Sequence, residues 1–271
     1  MGKIISVSMQ KGGTGKSSTA QVISAIFGSN GSRVLLVDLD QQGNTTYSSG
    51  VVNPERTITD VLGADCTAQD AVIKCKYYDL LASDKYLGNV ELAIPLSSQV
   101  EPYKKNLSEA GVQIISMDLL TTCLNSIKDR YDLIIIDCPP NLGNLSYMAL
   151  LASDFVLIPV EASTYGLTGL DDLMQTIQAI RRSYNRPLNI AGVLLTRYNR
   201  RTTLGSDVKD MFAEYCQDKG INLFKTTIRQ SIAVQEAQIL QKPLIDHKPN
   251  STAALDYKDF CCELSKVIED K

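Results

Sequence analysis

The sequence predicts an α/β fold: a doubly wound, mostly parallel sheet flanked by helices. Two patterns lead to this class. Short apolar runs rich in Val, Ile and Leu alternate along the chain with segments of helical period, which is typical of βαβ units. Several of these runs are continuously apolar, as strands buried on both faces of a parallel sheet are. The 271 residues contain no repeat and no low-complexity linker, so we expect residues 1–271 to form a single domain.

The individual elements follow from the same patterns. We expect strands at 3–9, 33–38, 78–82, 131–137, 155–159, 188–196 and 223–228. A helix follows the first strand and a glycine-rich loop, and we expect it to end at a turn at 28–32. Further helices are expected at 59–62, 67–73, 112–129, 166–182, 206–219, 232–240 and 253–268.

Composition excludes several classes of protein. The chain is 44% hydrophobic and 21% charged, with a net charge of −3, which is ordinary for a soluble globular protein. No apolar run approaches the ~20 residues of a membrane-spanning helix, and no signal peptide is visible. With one histidine and no C-x-x-C pair among seven cysteines, no zinc site of the usual spacing can be assembled. We expect a cytoplasmic protein with reduced thiols.

The loop at residues 10–18 has the composition of a phosphate-binding loop. It reads Gln-Lys-Gly-Gly-Thr-Gly-Lys-Ser-Ser between the first strand and the first helix, and strand, glycine loop and helix is the context such a loop needs. Glycines let backbone N–H groups approach an anion closely. We therefore expect Lys16 to reach the β- and γ-phosphates of ATP and the Ser17 hydroxyl to reach Mg²⁺. The ATP-binding residues predicted here are Lys11, Gly12, Gly13, Thr14, Gly15, Lys16, Ser17 and Ser18.

The loop departs from the general pattern in one respect. Gln10 stands where the first glycine belongs, and a second lysine, Lys11, lies inside the loop. This variant is the deviant Walker A motif, K-G-G-x-G-K-[ST].

Carboxylates end two of the predicted strands. Asp38 and Asp40 end and follow the strand at 33–38, and Asp137 ends the strand at 131–137. Because ligands of open α/β sheets bind at the carboxyl ends of the strands, these side chains should lie near the phosphate loop. An aspartate in the position of Asp137 is a Walker B arrangement, which holds the Mg²⁺ shell.

Positive charge is concentrated late in this acidic chain. Residues 181–209 contain seven basic side chains against one acid. Such a local patch is compatible with contacts to phosphates, although charge clusters are also common on solvated surfaces.

Four segments resemble the ParA/Soj-type chromosome and plasmid partition ATPases, within the wider group that includes MinD. They are residues 11–17, 37–44, 136–143 and 192–196, and they span most of the chain in the order the family has. No N-terminal helix-turn-helix extension is visible, so the chain resembles the short, Soj-like form.

The resemblance implies a mechanism based on ATP and Mg²⁺. Two subunits would close face to face around the nucleotides as a homodimer, with Lys11 crossing to the partner's phosphates. Lys11, Lys16 and Asp40 would be the catalytic residues, Asp40 orienting the attacking water. Ser17, Asp38 and Asp137 would be the metal site, Asp38 in its outer shell. Hydrolysis would be slow and partner-stimulated.

The resemblance also implies partners. The ATP-bound dimer would bind DNA without sequence preference through Arg200, Arg201 and Arg229, and would associate with the nucleoid. A ParB-like centromere-binding protein would stimulate hydrolysis. Two positions where the family has arginine hold Gln230 and Ala233 instead, so the placement of the DNA-binding patch is open.

Two alternatives share the same loop. A MinD-like membrane-surface switch would need an amphipathic, basic C-terminal helix, whereas residues 256–271 carry more acids than lysines; a helix docked on the core explains them better. An iron–sulfur reductase would need two cysteines per subunit at the dimer face, and Cys138 has no convincing second ligand.

Overall fold

The computed structural model describes residues 2–93, 116–163, 166–184, 188–199 and 203–269. Within these ranges the strands are β1 (Lys3–Val7), β2 (Val34–Asp38), β3 (Val72–Lys74), β4 (Asp79–Leu81), β5 (Leu133–Asp137), β6 (Phe155–Glu161) and β7 (Asn189–Thr196). They form one sheet in the order β3-β4-β2-β5-β1-β6-β7. Every neighbouring pair is parallel except β3 and β4, which are antiparallel. The predicted fold class is confirmed.

Helices connect the strands and cover both faces of the sheet. They are α1 (Lys16–Ser29), α2 (Asn44–Ser48), α3 (Ile58–Leu62), α4 (Leu87–Ala93), α5 (Leu119–Asn125), α6 (Asn144–Ala152), α7 (Gly166–Tyr184), α8 (Thr203–Lys219), α9 (Ile232–Ile239), α10 (Leu244–His247) and α11 (Thr252–Glu269), with a 3₁₀ turn at Lys128–Arg130. Residues 112–115 of the helix expected at 112–129 lie outside the described residues.

The strands are buried on both sides because alternate side chains point to opposite faces. Ile5, Leu36 and Ile135 pack with α1 and α11 on one face. Ile4 and Ile134 point the other way and pack with α3, α5 and α6. A third cluster extends the second face under α7 and α8. This two-sided burial explains the continuous apolar runs in the sequence.

Helix α1 is longer than expected because it passes through Gly28. A Cβ built on Gly28 would lie 1.7 Å from the main-chain oxygen of Tyr77. Gly28 therefore allows the backbone at Tyr77 to pack closely against α1. The turn follows the helix at Asn30 and Gly31.

The helix predicted at 67–73 is wrong. Residues 68–71 form a turn, in which Asp70 accepts from the Thr67 backbone N–H at 3.1 Å. Val72 and Ile73 then pair with Leu81 and Leu80 of β4. Pairing with an existing strand overrides the local helical pattern.

The strand predicted at 223–228 is present only as an extended segment with isolated bridges to β7 and its following loop. Phe224 N and Ile228 N donate to Val193 O and Leu195 O at 3.0 and 2.8 Å. Between them the chain leaves β7, because Glu263 accepts hydrogen bonds from the N–H groups of Lys225 and Thr226 at 2.8 and 3.1 Å.

Candidate nucleotide site

A cleft of about 470 Å³ opens at the carboxyl edge of the sheet. The phosphate-loop segment and the N-terminus of α1 form one wall, and the segments that follow β2, β5 and β7 form the others. Its lining contains Gly12, Gly13, Gly15, Lys16, Ser17, Ser18, Asp40, Gln42, Asn44, Tyr47, Ser48, Pro140, Arg197 and Gln238. The structure thus brings most of the predicted ATP-binding residues together with Asp40.

The loop has the backbone conformation that its glycines permit. Gly13 and Gly15 have φ of 78° and 85°, in the left-handed region where a side chain would be strained. The Thr196 hydroxyl, at the end of β7, lies 2.8 Å from the main-chain oxygen of Thr14. The loop is therefore anchored to the neighbouring half of the sheet.

Lys16 extends into this loop from the first residue of α1. Its ammonium group donates to the main-chain oxygen of Lys11 at 3.3 Å, and only 6% of the residue is exposed. Burial lowers the pKa of Lys16, and the nearby Asp137 carboxylate opposes this shift. A nearby anionic ligand would stabilise the charged form of Lys16 and so compensate for the hydration lost on burial.

Asp137 ends β5 and is fully buried next to α1. Its Oδ2 accepts a hydrogen bond from the Thr45 hydroxyl at 2.7 Å, whereas its Oδ1 has no hydrogen-bond partner among the described residues. Burial raises the pKa of Asp137 to about 6, against the effects of the Thr45 and Ser17 hydroxyls and of Lys16. A buried oxygen without a donor, next to a serine hydroxyl, fits a site for Mg²⁺, which prefers oxygen ligands.

Asp38 is also buried, but all of its contacts are with protein groups. Its Oδ2 accepts from the Thr46 N–H and hydroxyl, both at 2.7 Å, and its Oδ1 from the Asp40 N–H at 3.2 Å. Burial, with the charge of Asp137 beside it, raises the pKa of Asp38 to about 7. The Asp38 carboxylate thus holds the start of α2.

Asp40 faces the cleft from the segment after β2. One carboxylate oxygen accepts from the Gln42 N–H at 3.0 Å, and the Ser83 hydroxyl donates to the Asp40 main-chain oxygen at 2.7 Å. The backbone is fixed on both sides of this residue, which directs the carboxylate into the cleft.

Lys11 lies at the rim beside two residues that the sequence did not single out for this site. Its ammonium group is 3.4 Å from Oε2 of Glu161, and Nη1 of Arg197 is 3.9 Å from Oε1 of the same carboxylate. Glu161 ends β6 and pairs in register with Thr196 of β7, so strand register brings these charges together.

A second cavity of about 230 Å³ adjoins the cleft and shares Gly15, Ser18, Arg197 and Gln238 with it. Its other walls come from the extended segment before α9, from α9 itself and from Tyr257 of α11. Gln238 donates to the Ser18 hydroxyl oxygen at 3.0 Å, which links α9 to the start of α1.

The predicted DNA-binding arginines are not assembled by the described structure. Arg200 and Arg201 lie outside the described residues. Arg229 is described, and its guanidinium is paired with Asp256 of α11 at 2.7 Å, while its backbone N–H donates to the same carboxylate at 2.9 Å. Much of its charge is therefore neutralised within the chain.

Several residues that complete the cleft were not assigned a role in nucleotide binding from the sequence. They are Gln42, Asn44, Tyr47, Ser48, Pro140, Glu161, Thr196, Arg197 and Gln238. Asn44, Glu161 and Arg197 follow or end apolar runs, a position that could have identified them. Gln238 gives no such signal, because it comes from a distant helix.

Comparisons with known proteins agree with this geometry. A family model described as an AAA domain matches residues 2–190. The sporulation initiation inhibitor protein Soj of Bacillus subtilis is 38% identical over 268 residues, covering 98% of this chain and 99% of that protein. The chromosome partitioning protein ParA of Caulobacter vibrioides is 32% identical over 250 residues, covering 90% of this chain and 86% of that protein.

The chain belongs to the ParA/Soj family of partition ATPases. Its fold is shared more widely: cobyrinic acid a,c-diamide synthase from Mycobacterium smegmatis, crystallised with an ATP analogue and magnesium, has a TM-score of 0.81 at 25% identity, covering 99% of this chain and 96% of that one.

The C-terminal helix and Cys138 bear on the two alternatives. Phe260 and Leu264 of α11 are fully buried against α1 and the sheet, as expected for a docked helix. Among the described residues no helix combines the length and apolar character that crossing a bilayer requires. Cys138 is 1% exposed and packs in the core beside α6.

Proposed function

We propose that this ParA-family ATPase binds ATP and Mg²⁺ in the cleft, closes as a homodimer around the nucleotides, and hydrolyses ATP to drive DNA segregation. ATP and Mg²⁺ are the ligands that the residues of the cleft fit. The observation that carries the proposal is Oδ1 of buried Asp137, which has no hydrogen-bond partner among the described residues and lies beside Ser17 and the desolvated Lys16. The oxygens of Asp137 and Ser17 are suitable ligands for Mg²⁺, and the buried Lys16 ammonium group is suited to bind phosphate oxygens.

The site residues predicted from the sequence have distinct tasks in this proposal. The loop N–H groups and Lys16 bind the phosphates, and Ser17 and Asp137 hold the metal, with Asp38 behind them in its outer shell. Mg²⁺ neutralises charge on the phosphate oxygens when bound. Asp40 accepts a hydrogen bond from the attacking water and so orients it, because its carboxylate reaches the cleft from a fixed backbone.

Lys11 supplies the contact between subunits. Its side chain is about one-third exposed, 36%, and it lies at the rim rather than in the depth of the cleft. A cation there is accessible to the nucleotide of a second copy, where it would neutralise charge that develops in the transition state. ATP then forms part of the dimer interface.

We propose that the ATP-bound dimer binds DNA without sequence preference, with Arg200 and Arg201 as contacts, in the cytoplasm on the nucleoid. Arg229 contributes less than these two, because Asp256 already pairs with it. A ParB-like centromere-binding protein accelerates a slow basal hydrolysis. Residues 1–271 act as one domain.

Two substitutions test the dimer mechanism. We expect Lys11→Ala to lose ATP-driven dimers, because the contact between subunits is removed, and Asp40→Ala to accumulate them, because hydrolysis slows while binding persists. Sedimentation of each variant with ATP·Mg²⁺ and with ADP measures the dimer fraction, and phosphate release measures turnover. Lys85→Ala, an exposed lysine elsewhere on the chain, is the matched control. Dimer fractions that neither substitution changes would refute the mechanism.

A further inference from the structure

Arg197 has an unusual backbone conformation at the mouth of the nucleotide cleft. It follows the last residue of β7 and has φ of 52°, in the left-handed region that side-chain-bearing residues rarely adopt. Such conformations persist where the surroundings impose them, and they cluster at ligand sites. The conformation of Arg197 therefore calls for an explanation from its neighbours.

Both neighbours of Arg197 are fixed by hydrogen bonds. The Thr196 hydroxyl lies 2.8 Å from the main-chain oxygen of Thr14 in the phosphate loop. On the other side, Tyr198 N donates to Ile228 O at 2.9 Å. The chain turns sharply between these two anchors, and the turn directs the Arg197 side chain over the loop.

The Arg197 guanidinium lies beside Gly13 of the phosphate loop. A Cβ built on Gly13 would be 4.0 Å from Nη1 of Arg197, and the residue lines both the phosphate cleft and the adjoining cavity. Oε1 of Glu161 lies 3.9 Å from Nη1 of Arg197. The side chain remains 49% exposed, so it can reach a ligand without first leaving a buried position.

We propose that Arg197 is a phosphate-binding residue that contacts the β- and γ-phosphates of ATP in its own subunit, positioned by Glu161. The inference rests on the proposed ATP-binding function of the cleft and adds a residue to it. A guanidinium can present two parallel N–H donors to phosphate oxygens, which an ammonium group cannot.

Glu161 gives this arrangement a second property. It contacts Lys11 through one oxygen and Arg197 through the other, so one carboxylate holds two cations beside the loop before a nucleotide arrives. A triphosphate competes with Glu161 for both, because it brings more negative charge to the same place. Arg197 then serves the nucleotide of its own subunit while Lys11 serves the nucleotide of the other.

The test compares nucleotides that differ in phosphate number. ATP and AMP are titrated against a bound fluorescent ATP analogue in the wild type, Arg197→Ala, Arg197→Gly and Arg197→Lys. We expect the Ala and Gly variants to bind ATP about tenfold more weakly, the range for a partly exposed charge-assisted hydrogen bond, and AMP less than about twofold more weakly. Lysine keeps the charge without the fork, so we expect an intermediate loss.

The controls separate a phosphate contact from a structural role. Glycine accepts φ of 52° without strain, so Arg197→Gly should unfold at a temperature no lower than Arg197→Ala, yet lose ATP affinity equally. Arg182→Ala removes an exposed arginine from α7, the helix that precedes the other end of β7, and should leave ATP affinity unchanged. Equal losses for ATP and AMP, or none, would overturn the inference. A wild type that binds no ATP would overturn the proposed function as well.

Discussion

The acidic side chains around the cleft differ in what each carboxylate touches. Asp38 has protein donors on both oxygens, Asp137 has a donor on one, and Asp40 is directed into the cleft. The sequence predicted that all three lie near the phosphate loop, because each ends or follows a strand. Their separate tasks depend on Thr45 and Thr46, which approach from α2, and no pattern in the sequence indicates those contacts.

The burial of Asp38 predicts a pH dependence of stability. Its pKa is about 7 in the folded protein against 3.8 ordinarily, so folding favours its protonated form. The stability that this protonation contributes is present below about pH 4 and is lost as the pH rises to about 7. We expect Asp38→Asn, which cannot ionise, to weaken the decline in the free energy of unfolding across that range. Urea unfolding without nucleotide or Mg²⁺ measures it.

The pKa of Asp132 is shifted in the opposite direction to that of Asp38, so Asp132 serves as the control. Hydrogen bonds from Arg33 lower the pKa of Asp132 to about 2, so its contribution is present above about pH 4 and is lost at lower pH. Asp132→Asn should therefore leave the decline between pH 4 and pH 7 intact. If Asp38→Asn leaves it equally intact, burial of Asp38 is not its cause.

At the scale of elements, strands with continuous apolar runs were the most predictable. The expected strands at 131–137 and 33–38 correspond to β5 and β2 with small changes at their ends. The segment at 67–73 was predicted wrongly because Val72 and Ile73 pair with the nearby β4 as a hairpin, which overrides their local helical pattern. The segment at 223–228 was predicted wrongly because Glu263 of α11 draws residues 225–226 away from β7. A side chain that distant in the chain cannot be read from local periodicity.

Gly28 gives a prediction for the packing of α1. Alanine there would place a methyl group against the main-chain oxygen of Tyr77, and backbone cannot move aside cheaply. We expect Gly28→Ala to lower the free energy of unfolding by about 2 kcal/mol, since overpacking typically costs more than the helix propensity gained. Chemical denaturation at constant pH measures the difference.

Gly169 of α7 is the matched control for this substitution. An added Cβ there meets only the flexible end of Met9, at 2.8 Å from Cε, which can shift. We expect Gly169→Ala to change stability little. A Gly28→Ala variant as stable as the wild type would show that the loop containing Tyr77 yields without cost.

At the scale of the whole molecule, the carboxyl edge of the sheet collects the phosphate loop and the ends of β2, β5, β6 and β7 at one cleft. The order of the strands, with β1 between β5 and β6, explains why residues 11, 40, 137 and 197 meet although they are distant in sequence. Ligands bind at such a position in open α/β sheets.

The proposed DNA contact is a property of this whole assembly and can be tested as one. We expect wild-type protein to retard a non-specific duplex with ATP and not with ADP, and to lose affinity steeply as salt rises. Removing Arg200 and Arg201 together by alanine substitution should weaken binding at every duplex sequence. The logarithmic salt slope should fall by about 0.9 for each phosphate that the protein no longer neutralises. Electrophoretic mobility shifts across a salt series measure both quantities.

A double variant elsewhere controls for the loss of net charge. Arg56→Ala with Lys85→Ala removes two exposed cations near the β4 side of the sheet, and should leave the salt slope unchanged. If both double variants weaken binding equally, the contact is not localised after β7. If the wild type shows no ATP-dependent shift at any salt concentration, the proposal of DNA binding fails.

The sequence by itself determined the fold class, the phosphate loop and the carboxylates that face it, because these depend on short-range patterns: apolar runs, glycines where backbone must approach an anion, and acids at strand ends. Tertiary structure alone decided which carboxylate keeps an oxygen without a hydrogen-bond partner among the described residues, that Asp256 neutralises Arg229, and that Glu161 joins Lys11 and Arg197. Those outcomes depend on strand register and on contacts between residues far apart in the chain, and electrostatic partners are chosen by distance in space rather than by separation in sequence.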